Sequence, residues 1–579
     1  WQQETDFDIK VSLNDTTHTL DAFETITYQN NSPDTLYFIW FHLWPNAFKN
    51  DQTAFSEQMV TRLNNSAFYF SKDKDRGYIN KINFKVNGLT ASMEDHPQYI
   101  DIAKLVLPKP LLPGEKVVIT TPFHVKLPKN FSRGGHIDQS YQITQWYPKP
   151  ALYDRYGWHT MPYLDQGEFY NDFGNYSVSI TLPKNYIVGA TGVLQNEDEK
   201  HFILNKTQPT KIVAQADKDI FAKKKDTKDA FPPSDQTLKT ITYKANNVID
   251  FAWFADKRFI VKHDTVNLLS NSNIDIYIYV LPSKVDFWKN SIAYTKKAVR
   301  FYSAQLGDYP YPAVSVVCAP ENTSEGGMEY PNITLVNVKS DDQKDLDMII
   351  THEIGHNWLQ AMIATDERDH AWMDEGMNTY IERKYSNTFY PHKKRKFDRE
   401  SILELALKSL IDQGKDQPIA ATSEAFNRYN YGPVIYMKTA LWMEKLEQKI
   451  GKEKMLQVMH EYFNQWKYKH PYPGDFKKIC EDISGQDLND LFNLLFLTGD
   501  LGAKQKLPLK VTTFFPGINN EAKYITISPI AGYNAYDKLM MGGLIHNIGI
   551  PSSALKFIAI PLYATGSNAF NFLGAMSYS

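Results

Sequence analysis

Over roughly the first 250 residues the apolar positions recur at every second residue. Tyr176 to Leu182 (YSVSITL) alternates strictly. Leu36 to Leu43 and Val117 to Phe123 are further β-rich runs, bounded by Asn, Asp, Pro and Gly. Successive side chains on a strand point to opposite faces, so such runs bury one face each and predict an antiparallel β domain. Lys223 to Asp229, followed by Pro232 and Pro233, breaks the pattern with charge and predicts a solvated surface loop.

From about Asn273 the period changes. Ile274 to Leu281, Val314 to Ala319 and Ile333 to Val338 read as strands, while Trp288 to Gln305 has helical spacing. Apolar positions three and four apart then predict helices over Lys344 to Gln360, Glu375 to Tyr385, Ser401 to Ile411, Tyr436 to Ile450 and Asp487 to Leu497. After Pro508 the two-residue period returns in Tyr524 to Ile530, Leu539 to His546, Lys556 to Pro561 and Phe570 to Ser577. This Gly-rich array runs to the last residues, which suggests that the native protein continues. The expected boundaries are 1–265 for a β domain, 266–505 for a mixed lobe with helices, and 506–579 for a C-terminal β segment.

Composition narrows the function classes. The 63 Lys and Arg balance 66 Asp and Glu, giving a net charge of −3, so no electrostatic footprint for a phosphate backbone is present and nucleic acid is not an expected partner. Two cysteines, Cys318 and Cys480, exclude a disulfide framework and Cys-rich zinc modules, and both are expected to be inert buried thiols. No uninterrupted apolar run approaches the roughly 18 residues of a membrane-spanning helix. The chain opens on Trp1 rather than Met, which suggests a processed, exported chain.

The chemistry concentrates in THEIGHNWLQ. His352 and His356 stand four apart on a predicted helix, so both imidazoles project from one face toward a single ion, and Glu353 lies beside them. A catalytic zinc needs three protein ligands if a position is to stay open for water, and a carboxylate on a neighbouring element is the expected third. Glu375, nineteen residues after His356 in WMDEGMNTYIERKY, is placed to supply it. With 15 His, and half of the 66 acids taken as Glu, chance supplies about 0.02 such HExxH matches, so the motif is a strong signal. Zinc acidifies its water and polarises a carbonyl. Glu353, adjacent to a ligand, is the expected general base and acid, and Asp374 is a candidate to orient an imidazole.

The set His352, Glu353, His356 and Glu375, in the contexts HEIGHNW and DEGMNTY, resembles the gluzincin zinc peptidases of the aminopeptidase N family. GGMEY at Gly326 to Tyr330 lies where that family has its GxMEN exopeptidase motif, and Tyr436 in YMKTA lies where it has a YxKG tyrosine. The resemblance implies a multidomain α+β fold: a saddle-like antiparallel N-terminal β domain, a thermolysin-like mixed α/β catalytic domain with a helical lobe, and here a short C-terminal β segment. It also implies one Zn2+ per chain held by His352, His356 and Glu375, with Glu353 and Tyr436 catalytic. Glu329 would bind the free α-amine of a peptide, and the amides of Gly326 and Gly327 would hold the substrate.

The matches have counterparts in departures. Tyr330 replaces the family's Asn, Thr439 its Gly, and in Thr144-Gln145-Trp146-Tyr147 a tyrosine stands where many members carry a second amine-binding acid, leaving Gln145 to line the pocket. The expected function is therefore a zinc-dependent aminopeptidase acting on peptides, against the alternatives of an endopeptidase or dipeptidase with the same metal site, or a surface binding module. Residues Ser528 to Ser579 loosely resemble the opening of a bacterial outer-membrane β-barrel, the alternative being a small soluble β module. The corresponding location is exported, periplasmic or outer-membrane-associated in a bacterium, with a cytoplasmic enzyme as the alternative.

Overall fold

The computed structural model describes residues 1–205, 230–268, 270, 272–320, 326–391, 399–501, 508–514, 522–549 and 552–578. The expected loop over Lys223 to Asp229 lies outside them. The chain divides into two compact units, the first comprising Trp1–Asp374 and Glu453–Ile483, the second Glu375–Lys452 and Ser484–Ser579.

The first unit opens with a nine-stranded sheet in which Glu4–Asn14, Thr19–Gln29 and Lys116–Lys126 form an antiparallel series. Their burial alternates, with Phe7, Ile9, Val11 and Leu13 facing the core from the first strand. The expected antiparallel domain needs one correction, since Glu4–Asn14 pairs in parallel with Gly174–Pro183, Ile9 opposite Val178. Parallel pairing requires a long crossover, and the intervening chain supplies further strands and a core cluster of Trp44, Phe48, Phe55, Phe68, Tyr163 and Phe169.

Next comes a five-stranded sheet of Ile260–Asn267, Asn273–Val280, Ala313–Cys318, Ile333–Asn337 and Gly326–Tyr330, in that spatial order. The first of these strands starts inside the stretch expected to belong to the β domain. Its central strands pair in parallel, while Gly326–Tyr330 forms an antiparallel edge against Ile333–Asn337. The helices Ser291–Gln305 and Gln343–Gly355 pack on each other, and the second also packs on both of the last two strands. It ends five residues before the predicted limit, because Gln360 takes a left-handed φ of 94° and Leu359 bridges to Ile363. Lys452–Trp466 and Pro473–Ser484 are helices that the apolar spacing did not single out.

The second unit contains the helices Met377–Phe389, Arg399–Asp412 and Thr439–Ile450, and a five-stranded sheet that includes Lys523–Asn534, Lys538–His546, Leu555–Ala564 and Ala569–Tyr578 in a meander. The four predicted C-terminal strands are all present. Two helices begin with π-helical turns, Trp372–Gly376 before Met377 and Gly432–Lys438 before Thr439. No helix among the described residues is long and apolar enough to cross a membrane, a statement that does not bear on strands. Cys318 and Cys480 are both buried and not joined in a disulfide, and burial raises the pKa of Cys480.

Candidate metal and peptide site

The helix Gln343–Gly355 is capped by Asp342, whose side chain accepts from the Lys344 amide at 2.9 Å. Leu346, Ile349, Ile350 and Ile354 bury its apolar stripe. His352 and Glu353 lie in its last turn, and His356, the C-cap, keeps right-handed backbone angles, so the two imidazoles stay on one face. Their Nε2 atoms face each other at 3.3 Å. Ligand atoms of His352, His356 and Glu375 all lie within 4.8 Å of one another, and all three side chains are buried.

These residues fit zinc. His356 Nδ1 is 2.7 Å from Asp374 Oδ1, and because a carboxylate only accepts, the proton is assigned to Nδ1 and Nε2 keeps its lone pair. Two Zn–N bonds of roughly 2.0–2.1 Å at a tetrahedral angle place their nitrogens about 3.3 Å apart, which is the separation between the two Nε2 atoms. A second group, Glu329, His356 and Asp374, meets the same distance condition. It is the poorer centre, since Asp374 is engaged by His356 Nδ1 and only one imidazole is available. Asp374, marked in the sequence only by its position next to Glu375, thus orients a ligand.

Glu353 is buried, and a Cβ built on Gly327 would fall 2.2 Å from its Cδ. The strand Gly326–Tyr330 therefore runs directly against that carboxylate. Gly326 has a φ of 129° and open space around its missing side chain, a backbone state that glycine adopts without strain. Glu329 sits opposite Thr334 in the antiparallel pair, is 8% exposed, and brings its carboxylate within 4.8 Å of ligand atoms of His356 and Asp374.

Gln145 is buried with a left-handed φ of 47°. Its amide nitrogen donates to Asp250 Oδ2 at 3.3 Å, and its carbonyl oxygen accepts a long contact from the Tyr330 hydroxyl at 3.5 Å. Tyr147 donates to Asp250 Oδ1 at 2.9 Å, and Lys149 pairs with the same oxygen at 2.6 Å. The tyrosine that stands in place of an acid is thus held in a buried polar network through Asp250, a residue that no motif in the sequence marks. Asn357 was missed too. Its Oδ1 accepts the Asn332 amide at 2.8 Å, fixing the turn that follows the Glu329 strand.

In the second unit the Tyr436 hydroxyl donates to Glu375 Oε1, so both π-helical turns deliver their functional side chains to one hydrogen bond. Gly376 meets Thr439 so closely that a Cβ would lie 2.3 Å from Thr439 Cγ2. The small residue at this crossing is Gly376, which leaves room for the threonine where the family has glycine.

The edge strand, the helix and the paired histidines form a candidate zinc centre. Residues 291–494 match the Peptidase family M1 domain, so this stretch of the chain is similar to that family. The chain is 25% identical over 249 residues to a leucine aminopeptidase 2 of Yarrowia lipolytica, covering 40% of this chain and 36% of that protein. It is 25% identical over 295 residues to a leucine aminopeptidase 2 of Coccidioides immitis, covering 47% and 45%. The matches therefore span less than half the length of these curated relatives. An M1 zinc metallopeptidase from Deinococcus radiodurans shares the fold with a TM-score of 0.56 at 14% identity, over 87% of this chain and 94% of that one.

Proposed function

We propose that the protein is a zinc-dependent aminopeptidase that removes N-terminal residues from peptides. The observation that carries this reading is Glu329, held on an edge strand with its carboxylate beside His356 and Asp374. There a substrate ammonium makes a charge-assisted contact that fixes the cut one residue from the N-terminus. His352, His356 and Glu375 would hold the zinc, which when bound would supply Lewis-acid polarisation of the scissile carbonyl and of the attacking water. Glu353 takes the proton of that water and returns it to the leaving amine. Tyr436 offers its phenol to the developing oxyanion, and the backbone of Gly326 and Gly327 aligns the peptide. Gln145, braced by Asp250, holds the Tyr330 hydroxyl that follows Glu329 in the strand.

Peptides with free and acetylated N-termini test the reading. Release of the first residue from the free peptide, with the acetylated one left intact, is the expected result. Internal cleavage of the acetylated peptide moves the function to an endopeptidase with the same metal site.

We further propose that the C-terminal sheet associates with a bacterial outer membrane, which makes the protein exported. Its register supports this. The ladder Ala531, Met541, Tyr563 and Phe570 crosses four strands on one face, and Pro561 opposite Phe572, Phe557 opposite Met576 and Leu555 opposite Tyr578 extend that face, whose charged residue in these strands is Lys523 at the start of its strand. Phe570, Phe572, Met576 and Tyr578 are all more than 70% exposed. The opposite face mixes Thr526, Ser528, Lys538, His546, Lys556, Asn571 and Ser577 with Met540, Leu544, Ile558, Ile560, Leu562 and Leu573. At about 3.4 Å per residue and a tilt near 45°, a ten-residue strand covers roughly 24 Å of height, close to the ~25 Å apolar band of outer-membrane barrels.

A further inference from the structure

A cavity of about 730 Å³, which shares no residue with the metal group, is lined in part by Tyr153, Trp466, Tyr468 and Tyr472 together with Asp172 and His470. Asp172 is 5% exposed, and neither of its carboxylate oxygens has a hydrogen-bond partner among the described residues. His470 Nε2 lies 3.8 Å from Asp172 Oδ1. His470 Nδ1 bonds the Ala364 carbonyl at 2.9 Å, and burial pushes the imidazole down to about 4, so the ring is neutral and Nε2 is a lone-pair acceptor. The Tyr472 hydroxyl is spent on Asp154 Oδ2 at 2.6 Å.

Among the described residues no side chain donates to either facing atom, so the buried carboxyl's own proton is the donor nearest the pair. Burial and the charge of Asp154 push the Asp172 carboxyl well above the usual carboxylate range, so a neighbouring cation would favour its ionised form. The cationic residues that also line the cavity are already engaged. Arg155 pairs with Asp475 at 2.8 Å, and Lys469 donates to the Gln465 carbonyl at 2.8 Å.

We propose that this cavity binds a primary alkylammonium of about the size of a lysine side chain, its N–H donors on Asp172 and His470 and its chain among the aromatic rings. An ammonium has three donors and no acceptor, so it satisfies the ionised carboxylate and the neutral imidazole together. Aromatic faces attract a cation as well as covering its methylenes.

The test titrates n-pentylammonium chloride into the full-length zinc-loaded protein, followed by tryptophan fluorescence and by Tm. A saturable signal with a rise in Tm is expected, together with at least tenfold weaker binding in Asp172→Asn at unchanged peptide turnover. Pentyltrimethylammonium and pentanoate should bind at least tenfold more weakly than pentylammonium. Tyr468→Ala, at a half-buried wall position, is the second variant and should weaken binding at least threefold. Glu329→Ala separates this cavity from the proposed peptide-amine anchor and should bind pentylammonium as the wild type does. Absence of a saturable signal in the wild type, equal binding of pentanoate, or binding lost in Glu329→Ala but kept in Asp172→Asn would overturn the proposal.

Discussion

Nδ1 of His356 lies 2.7 Å from Oδ1 of Asp374, and both side chains are shut off from solvent. A carboxylate in this position fixes the tautomer and raises the basicity of the ligating nitrogen. Asp374→Ala should therefore weaken zinc binding by about 10–100-fold, measured by competition with a chelator. Wild-type affinity in that variant would show that His356 needs no such partner.

The phenol of Tyr436 rests on a proposed metal ligand, Glu375. If its role is at the developing oxyanion, Tyr436→Phe lowers kcat by about 10²–10³-fold with one zinc retained per chain. Loss of zinc from Tyr436→Phe would instead assign the tyrosine to holding Glu375.

His159 offers a pH test away from the metal. Burial alone would lower its pKa, but hydrogen bonds and charge from Asp154, at 2.9 Å, and Asp366, at 3.4 Å, outweigh that and raise it to about 9. The folded value lies above the unfolded value of about 6.5, so the protonated imidazole stabilises the fold fully below about pH 6.5 and that contribution is lost as pH rises through 9. The shift corresponds to on the order of 3 kcal/mol. Denaturant midpoints of wild type and His159→Gln should differ most at pH 6 and converge toward pH 9.5, whereas a constant difference would assign the effect to packing.

On the C-terminal sheet, Phe572 and Asn571 are neighbours on opposite faces. Phe572→Arg should cost about 2–4 kcal/mol of insertion free energy if its face meets hydrocarbon near mid-depth, and Asn571→Arg should cost little. Recovery of each variant in outer-membrane vesicles measures the contrast. Equal recovery of the two would remove lipid as the occupant of the apolar face.

The metal site was legible because its logic is local. His352, Glu353 and His356 lie on or at the cap of one helix, and Glu375 follows at a short fixed interval, so spacing alone brings out the candidate ligand group. Asp374 was visible only as a neighbour of Glu375. Asp250 was invisible, since its contacts with Gln145 and Tyr147 close over about a hundred residues and no period records them. Strand alternation located Tyr176 to Leu182 but did not single out Glu4–Asn14, nor could it reveal that the two pair in parallel, because either direction buries the same face. The predicted helices start at Glu375 and Tyr436, inside the π-helical turns Trp372–Gly376 and Gly432–Lys438, because apolar spacing over so few residues does not separate the two periods.

The central claim is that Glu353 moves the proton while Glu329 selects the substrate's free amine. Its most direct test is hydrolysis of a panel of aminoacyl fluorogenic amides by wild type, Glu353→Gln and Glu329→Ala, with zinc determined on each preparation. The account predicts a fall of about 10²–10⁴-fold in turnover for Glu353→Gln at full zinc content, and collapse on free-amine substrates for Glu329→Ala. A wild type inactive on every free-amine amide, or a Glu329→Ala variant as active as wild type, would contradict it.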